Sequence, residues 1–379
     1  MVHRRALLVA LAAGGAQTAA AQALPGSFEA WRRLIGGPQA AADETERQRL
    51  LAEGEALLRA GDALAAQDVF QRAAMRMHSP DTECSIVRAQ MQAGAYREAL
   101  AFGAHAALAH RGFAGGVALY AWMLHVGGQS IIAARLLADA LQREAGHPAL
   151  RAAQEGLRSP WPVPGDGLLA APLRAAPYAH GDTGDQAVRC IGTGTLMPDG
   201  LTAWMPAGTL GAARAVRVRN GVGETRAASV VDSTGTDGVV RLRLSQPLPW
   251  PPGLLLSPRA PFAGSPLAVV EFGISEEGSA VWPQLVQGFA GRLGPDGSAS
   301  LGVELAPGGR GGPVFDRAGR LAGIALPAAG GPDRLRTLEL PGEPPAAGAE
   351  PAAVAAAPID AVYESALRVT LQILLPSST

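Results

Sequence analysis

The chain has 379 residues and a net charge of −1, with 17% charged, 48% apolar and only 5% aromatic residues. That length holds two domains with ample cores. The balanced charge gives no global field toward nucleic acid or an anionic membrane, and the scarcity of aromatics weakens any base-stacking reading.

Met1-Val2-His3-Arg4-Arg5 is a charged n-region, Ala6 to Ala13 a short apolar core, and small-residue sites follow at Ala19-Ala20-Ala21 and Ala21-Gln22-Ala23. This is the pattern of a signal peptide over residues 1–23, and the apolar run falls well short of the roughly 20 residues that span a bilayer. A periplasmic or secreted protein with no membrane span after cleavage is expected. In such an oxidising place Cys84 and Cys190 either pair as a disulfide or stay as two buried thiols.

Residues 44–157 carry helical periodicity with a repeat of about 34 residues. Gly61-Asp62-Ala63, Gly94-Ala95-Tyr96 and Gly128-Gln129-Ser130 fall in register. So do the small positions Ala66 and Ala73, Ala99 and Ala106, Ala133 and Ala140, with Gly54 in the preceding helix. Small residues at fixed intervals let paired helices pack closely. The pattern resembles tetratricopeptide repeats, although Pro80 and Pro148 are displaced and the family's first-helix tryptophan is absent. That resemblance implies either a face for a protein or peptide partner in the cell envelope or packing on the chain's own second domain.

Residues 158–186 are rich in Pro, Gly and Asp and read as a linker. From 187 to 379 short β-type runs alternate with Gly and Pro, as in Ala215-Val216-Arg217-Val218 and Val239-Val240-Arg241-Leu242. A barrel or sandwich is expected there, with a disordered insertion from Pro341 to Pro358 and a closing helix from Ile359 to Leu374. No His, Cys and Asp set at ligand spacing occurs in this half, so neither metal nor cofactor is expected.

Four segments of this half occur in a telling order. They are Gly192-Thr193-Gly194-Thr195, Thr202-Ala203-Trp204-Met205-Pro206-Ala207, Thr236-Asp237-Gly238-Val239-Val240 and Pro307-Gly308-Gly309-Arg310-Gly311-Gly312-Pro313. Together they resemble the trypsin-like serine proteases of the HtrA/Deg type, over roughly Val188 to Leu374. The resemblance implies an all-β double barrel following the helical region, with Ala207, Asp237 and Arg310 at the triad positions and Gly308, Gly309 and Arg310 in the oxyanion loop.

Two of those positions have lost their chemistry. A serine hydroxyl needs an adjacent base before it attacks a carbonyl, and a guanidinium stays protonated and cannot attack. All seven histidines lie at or before His180, and the chain contains no lysine to replace them. An exported binding or scaffolding protein with a dead protease domain is therefore expected. The alternative is an active trypsin-like endopeptidase of the cell envelope with a non-standard site. Arg310 is expected either to cross the space left by Ala207 and pair with Asp237, since an unpaired buried aspartate is costly, or to point into solvent with Asp237 solvated or capping a turn.

Overall fold

The computed structural model describes residues 37–110, 112–159, 174–232, 238–294, 298–305, 308, 310–328, 332–338 and 355–377. The signal segment, Asp237, Gly309 and residues 341–354 of the expected insertion lie outside them.

The helical half consists of α1 (Gly37–Ala60), α2 (Ala63–Arg76), α3 (Pro80–Gln92), α4 (Tyr96–Ala109), α5 (Ala114–Val126), α6 (Ser130–Arg143) and α7 (Pro148–Arg158). The first six form three antiparallel hairpins, each turned by one of the glycines in register. Gly61, Gly94 and Gly128 have φ of 87°, 77° and 84°, a left-handed conformation that costs a residue with a Cβ about 1–2 kcal/mol. Each turn closes with the same two bonds. Gly61 N–H reaches Leu58 O and Asp62 N–H reaches Leu57 O; Gly94 and Ala95 reach Met91 and Gln90; Gly128 and Gln129 reach His125 and Leu124. These bonds satisfy carbonyls that a helix end would leave bare. Ala66, Ala73, Ala99, Ala106, Ala133 and Ala140 are all buried, and a Cβ on Gly54 would collide with the Phe70 ring.

The strands are β1 (His180–Gly181), β2 (Val188–Leu196), β3 (Thr202–Pro206), β4 (Ala215–Asn220), β5 (Glu224–Asp232), β6 (Val239–Leu244), β7 (Pro266–Glu271), β8 (Gln284–Leu293), β9 (Ala299–Gly302), β10 (Pro313–Asp316), β11 (Leu321–Leu326) and β12 (Arg334–Thr337), then helix α8 (Ile359–Val369) and β13 (Thr370–Pro376). They build two six-stranded antiparallel barrels, the architecture of a trypsin-like double barrel. The second runs β7-β8-β9-β12-β11-β10 and closes on itself. The first runs β13-β2-β3-β6-β5-β4, with β5–β6 pairing completing the ring and β1 added parallel to β5.

The two orders are the same Greek key, except that the first place in the first barrel is taken by β13. This corrects the closing helix expected to Leu374. The helix stops at Val369, and the next residues pair with β2 on one side and β4 on the other, Leu371 opposite both Gly194 and Asn220. Leu371, Ile373 and Leu374 are fully buried, so occupying the open slot of a barrel outweighs a helix-compatible pattern.

From Arg47 onward the helices and barrels belong to one compact unit. A single core cluster runs from Cys84, Val117 and Trp122 of the hairpins to Trp282, Tyr363 and Ile373 of the barrel half. Each hairpin turn carries one side chain from that half. The His180 ring covers Gly61, Leu285 covers Gly128, and Arg368 covers Gly94 while donating to Ala93 O at 2.5 Å. A cation at a helix C-terminus is favourably placed against the helix dipole.

Cys84 and Cys190 are both free and buried. One packs in the helical core beside Gly116 and the other against Phe272, Val281 and Leu374, so of the two readings it is the separate thiols that the structure contains.

Candidate functional site at the seam of the barrels

Strand pairing brings the protease-like positions together. β3 lies antiparallel to β6 with Pro206 opposite Val239, and Ala207 N–H donates to Gly238 O at 3.0 Å. Position 207, half-buried in a 3-10 turn, therefore stands beside the residue that follows Asp237. The glycine loop arrives from the second barrel. Thr195 Oγ1 donates to Gly311 O at 2.8 Å. Gly311 has φ 119°, and a Cβ there would overlap Thr193 O and come within 2.6 Å of Pro206 Cδ. A Cβ on Gly312 would overlap Val270 O of β7. These two glycines let the loop wedge between β2, β3 and β7, which is what carries Arg310 to the seam.

The chemistry of the seam is that of a charge cluster. Arg310 Nε stands 2.6 Å from Asp333 Oδ2, and both side chains are mostly buried, 17% and 15% exposed. Glu271, at the end of β7, receives Gly312 N–H on Oε1 at 3.4 Å. Burial pushes the Glu271 carboxyl well above the usual range; the charge of Arg310 pulls it down, and that of Asp333 pushes it up. Arg310 thus pairs with Asp333 and lies near enough to Glu271 for its charge to act on that carboxyl. The expected partner, Asp237, lies outside the described residues; the partner seen is Asp333.

Position 310 holds a permanent cation and position 207 a methyl group. His180, the histidine nearest the barrels in sequence, packs on Gly61 with Nδ1 3.4 Å from Tyr178 O. Of the oxyanion-loop residues, Gly308 has φ 81° and packs on Ile274, Gly309 lies outside the described residues, and the third is Arg310. Among the described residues one group could hold a metal ion, His78, Glu83 and His110, all in the helical half.

The face shared by α1 and α3 is occupied by the chain itself. Tyr178 N–H donates to Gln92 Oε1 at 3.0 Å, while Gln92 Nε2 donates to Leu58 O at 2.7 Å. The Tyr178 hydroxyl bonds Glu55, whose carboxylate also pairs with Arg88 at 3.0 Å. Those bonds hold the Glu55 carboxyl below its usual range against the opposing effect of burial. Arg174 stacks on the Tyr178 ring at 4.3 Å. Residues 174–178 thus lie against this face, with the Tyr178 backbone amide held by a side chain of α3.

Sequence reasoning missed Asp333, Glu271 and Tyr178. Glu271 left one signal, a carboxylate closing the apolar run Leu267-Ala268-Val269-Val270. Asp333 follows Gly330-Gly331-Pro332 with no pattern to mark it.

No family model matches the chain, and no curated protein matches it. Solved structures do. The serine endoprotease from Yersinia pestis is 17% identical at a TM-score of 0.31, over 38% of this chain and 54% of that one. The Rv3671c protease in its inactive form is 18% identical at 0.33, over 40% and 81%. The chain spans about half the length of the Yersinia protease.

Proposed function

We propose that this chain is an exported, non-catalytic protein-binding protein, in which a trypsin-like barrel pair has lost its reaction and the helical hairpins act as tetratricopeptide-like repeats. The Arg310–Asp333 pair carries this reading. The loop that would present a nucleophile is committed to an ion pair, beside a position that carries a methyl group instead of an imidazole. A peptide or protein partner in the cell envelope would engage the hairpins, either by displacing residues 174–178 from α1 and α3 or on another face.

A fluorophosphonate probe tests the catalytic half of this reading, because it labels only an activated serine. Wild-type protein is expected to remain unlabelled, and so is Arg310→Ser, since a hydroxyl without a base is a poor nucleophile. Labelling of the wild type that disappears when one serine is replaced would establish the alternative, an active endopeptidase. Export is tested by fusing residues 1–23 to a reporter active only in the periplasm. For the partner, Tyr178→Ala is expected to increase what the protein captures from envelope extracts.

A further inference from the structure

Glu83 lies in the first turn of α3, and its side chain is 4% exposed. Three imidazoles converge on it. His78 Nε2 is 3.4 Å from Oε1, His110 Nε2 is 3.4 Å from Oε2, and His105 Nε2 is 3.7 Å from Oε1. His78 Nε2 and His110 Nε2 are themselves 3.1 Å apart. Despite these neighbours, Glu83 Oε2 has no hydrogen bond among the described residues. A buried carboxylate oxygen left in that state keeps its desolvation cost without the hydrogen bond that would offset it.

With Glu83 ionised and both imidazoles neutral, no arrangement of protons satisfies the group. If His78 donates to His110, the lone pair of His110 faces Oε2. If His110 donates to His78, the lone pair of His78 faces Oε1. If each imidazole donates to the carboxylate, two N–H groups oppose one another across 3.1 Å. One cation among the three groups removes the conflict, because it gives both nitrogens and the carboxylate a positive partner in place of a proton.

The spacing fits as well. Ligand atoms held about 2.0–2.1 Å from a tetrahedral zinc ion lie roughly 3.3 Å from one another. The two nitrogens are 3.1 Å apart, and each lies 3.4 Å from one oxygen of the carboxylate, His78 from Oε1 and His110 from Oε2. Two imidazole nitrogens and a carboxylate oxygen form a donor set suited to zinc or a similar divalent transition ion.

We propose that His78, Glu83 and His110 form a binding site for a divalent transition metal of the zinc type, with His105 at its rim. The ion ties the α2–α3 connection to the end of α4, and so joins the first hairpin to the second. His78 is largely exposed and His110 mostly buried, at 63% and 21%, so the ion enters from the solvent side without any opening of the core. The position remaining in its coordination sphere takes water or His105.

The experiment uses full-length protein without a polyhistidine tag, stripped with chelator and titrated with zinc chloride by calorimetry. One equivalent is expected to bind per chain and to raise the melting temperature. Cobalt(II) in its place is expected to show the strong visible bands of a tetrahedral centre. His78→Ala and His110→Ala each keep the carboxylate buried and are expected to weaken zinc binding at least tenfold. His147→Ala, away from the cluster in sequence, is expected to bind as the wild type does. Less than half an equivalent bound by folded wild-type protein overturns the proposal. So does a His78→Ala/His110→Ala protein that folds, by circular dichroism, and binds zinc as tightly as the wild type. Glu83→Gln serves as a further variant; if it folds and binds like the wild type, the carboxylate is not a ligand and the site is refuted.

Discussion

The rings of Tyr96 and Tyr363 meet edge to face, with centroids 4.6 Å apart and planes at 70°. Tyr96 opens α4 and donates to Met123 O at 2.9 Å; Tyr363 lies on α8 and donates to Pro283 O at 2.7 Å. Both are fully buried, and the Arg97–Glu364 pair at 2.9 Å lies next to them in sequence. The helix that precedes β13 is thereby fastened to the second hairpin and to the loop before β8. Tyr363→Ala is expected to cost about 3–5 kcal/mol, and Tyr363→Phe about 1–2 for the hydroxyl alone. Urea unfolding read by circular dichroism checks both; equal losses would mean that packing is not the larger contribution.

Removing Arg310 leaves Asp333 without its cation and Glu271 facing another carboxylate. Arg310→Ala is expected to destabilise by about 3–5 kcal/mol. Arg310→Leu/Asp333→Leu is expected to lie closer to the wild type than either single change, because no buried charge is stranded. A double variant as unstable as the sum of its singles would show that the two residues do not act as a pair.

Burial lowers the His125 imidazole to about 4, and the ring is held by Ser130 Oγ at 2.9 Å and Gln284 Nε2 at 3.4 Å. The unfolded chain takes up this proton near pH 6.5 and the folded one only near 4, so stability is lost as pH falls between those values, by up to about 3 kcal/mol. His125→Gln retains a hydrogen-bonding side chain without a titration, and is expected to flatten the acid limb. Unfolding midpoints at pH 7 and 4.5 give the comparison; equal acid losses in both proteins would assign that limb to other groups.

Burial pushes the Cys84 thiol up to about 12 and the Cys190 thiol to about 11. A thiol reagent such as dithionitrobenzoate reacts with the thiolate. It is expected to find neither cysteine in native protein at pH 8, and both once guanidinium is added. One rapidly reacting thiol in native protein would contradict the packing described for that cysteine.

How much could be read from the sequence depended on how local the cause was. The hairpins were legible because Gly61, Gly94 and Gly128 each serve a turn whose bonds span only a few residues. The glycine loop was legible because close backbone approach excludes a Cβ wherever the fold brings the loop to the seam. Asp333 and Tyr178 were not, since each is chosen by a partner far along the chain, Arg310 in one case and Gln92 in the other. Thr370-Leu371-Gln372-Ile373-Leu374 misled for the same reason: it continues a helical pattern, and only the slot between β2 and β4 makes it a strand. The histidines around Glu83 carry no ligand spacing in sequence, since His78, His105 and His110 meet Glu83 only when the α2–α3 connection packs against α4.

The place of β13 makes the first barrel a host and the second its guest. The host ring starts at β2, is interrupted by the whole of the guest, and is finished only when β13 returns. No single cut between the barrels can release two intact rings, because β2 to β6 alone form a sheet with β2 and β4 as bare edges.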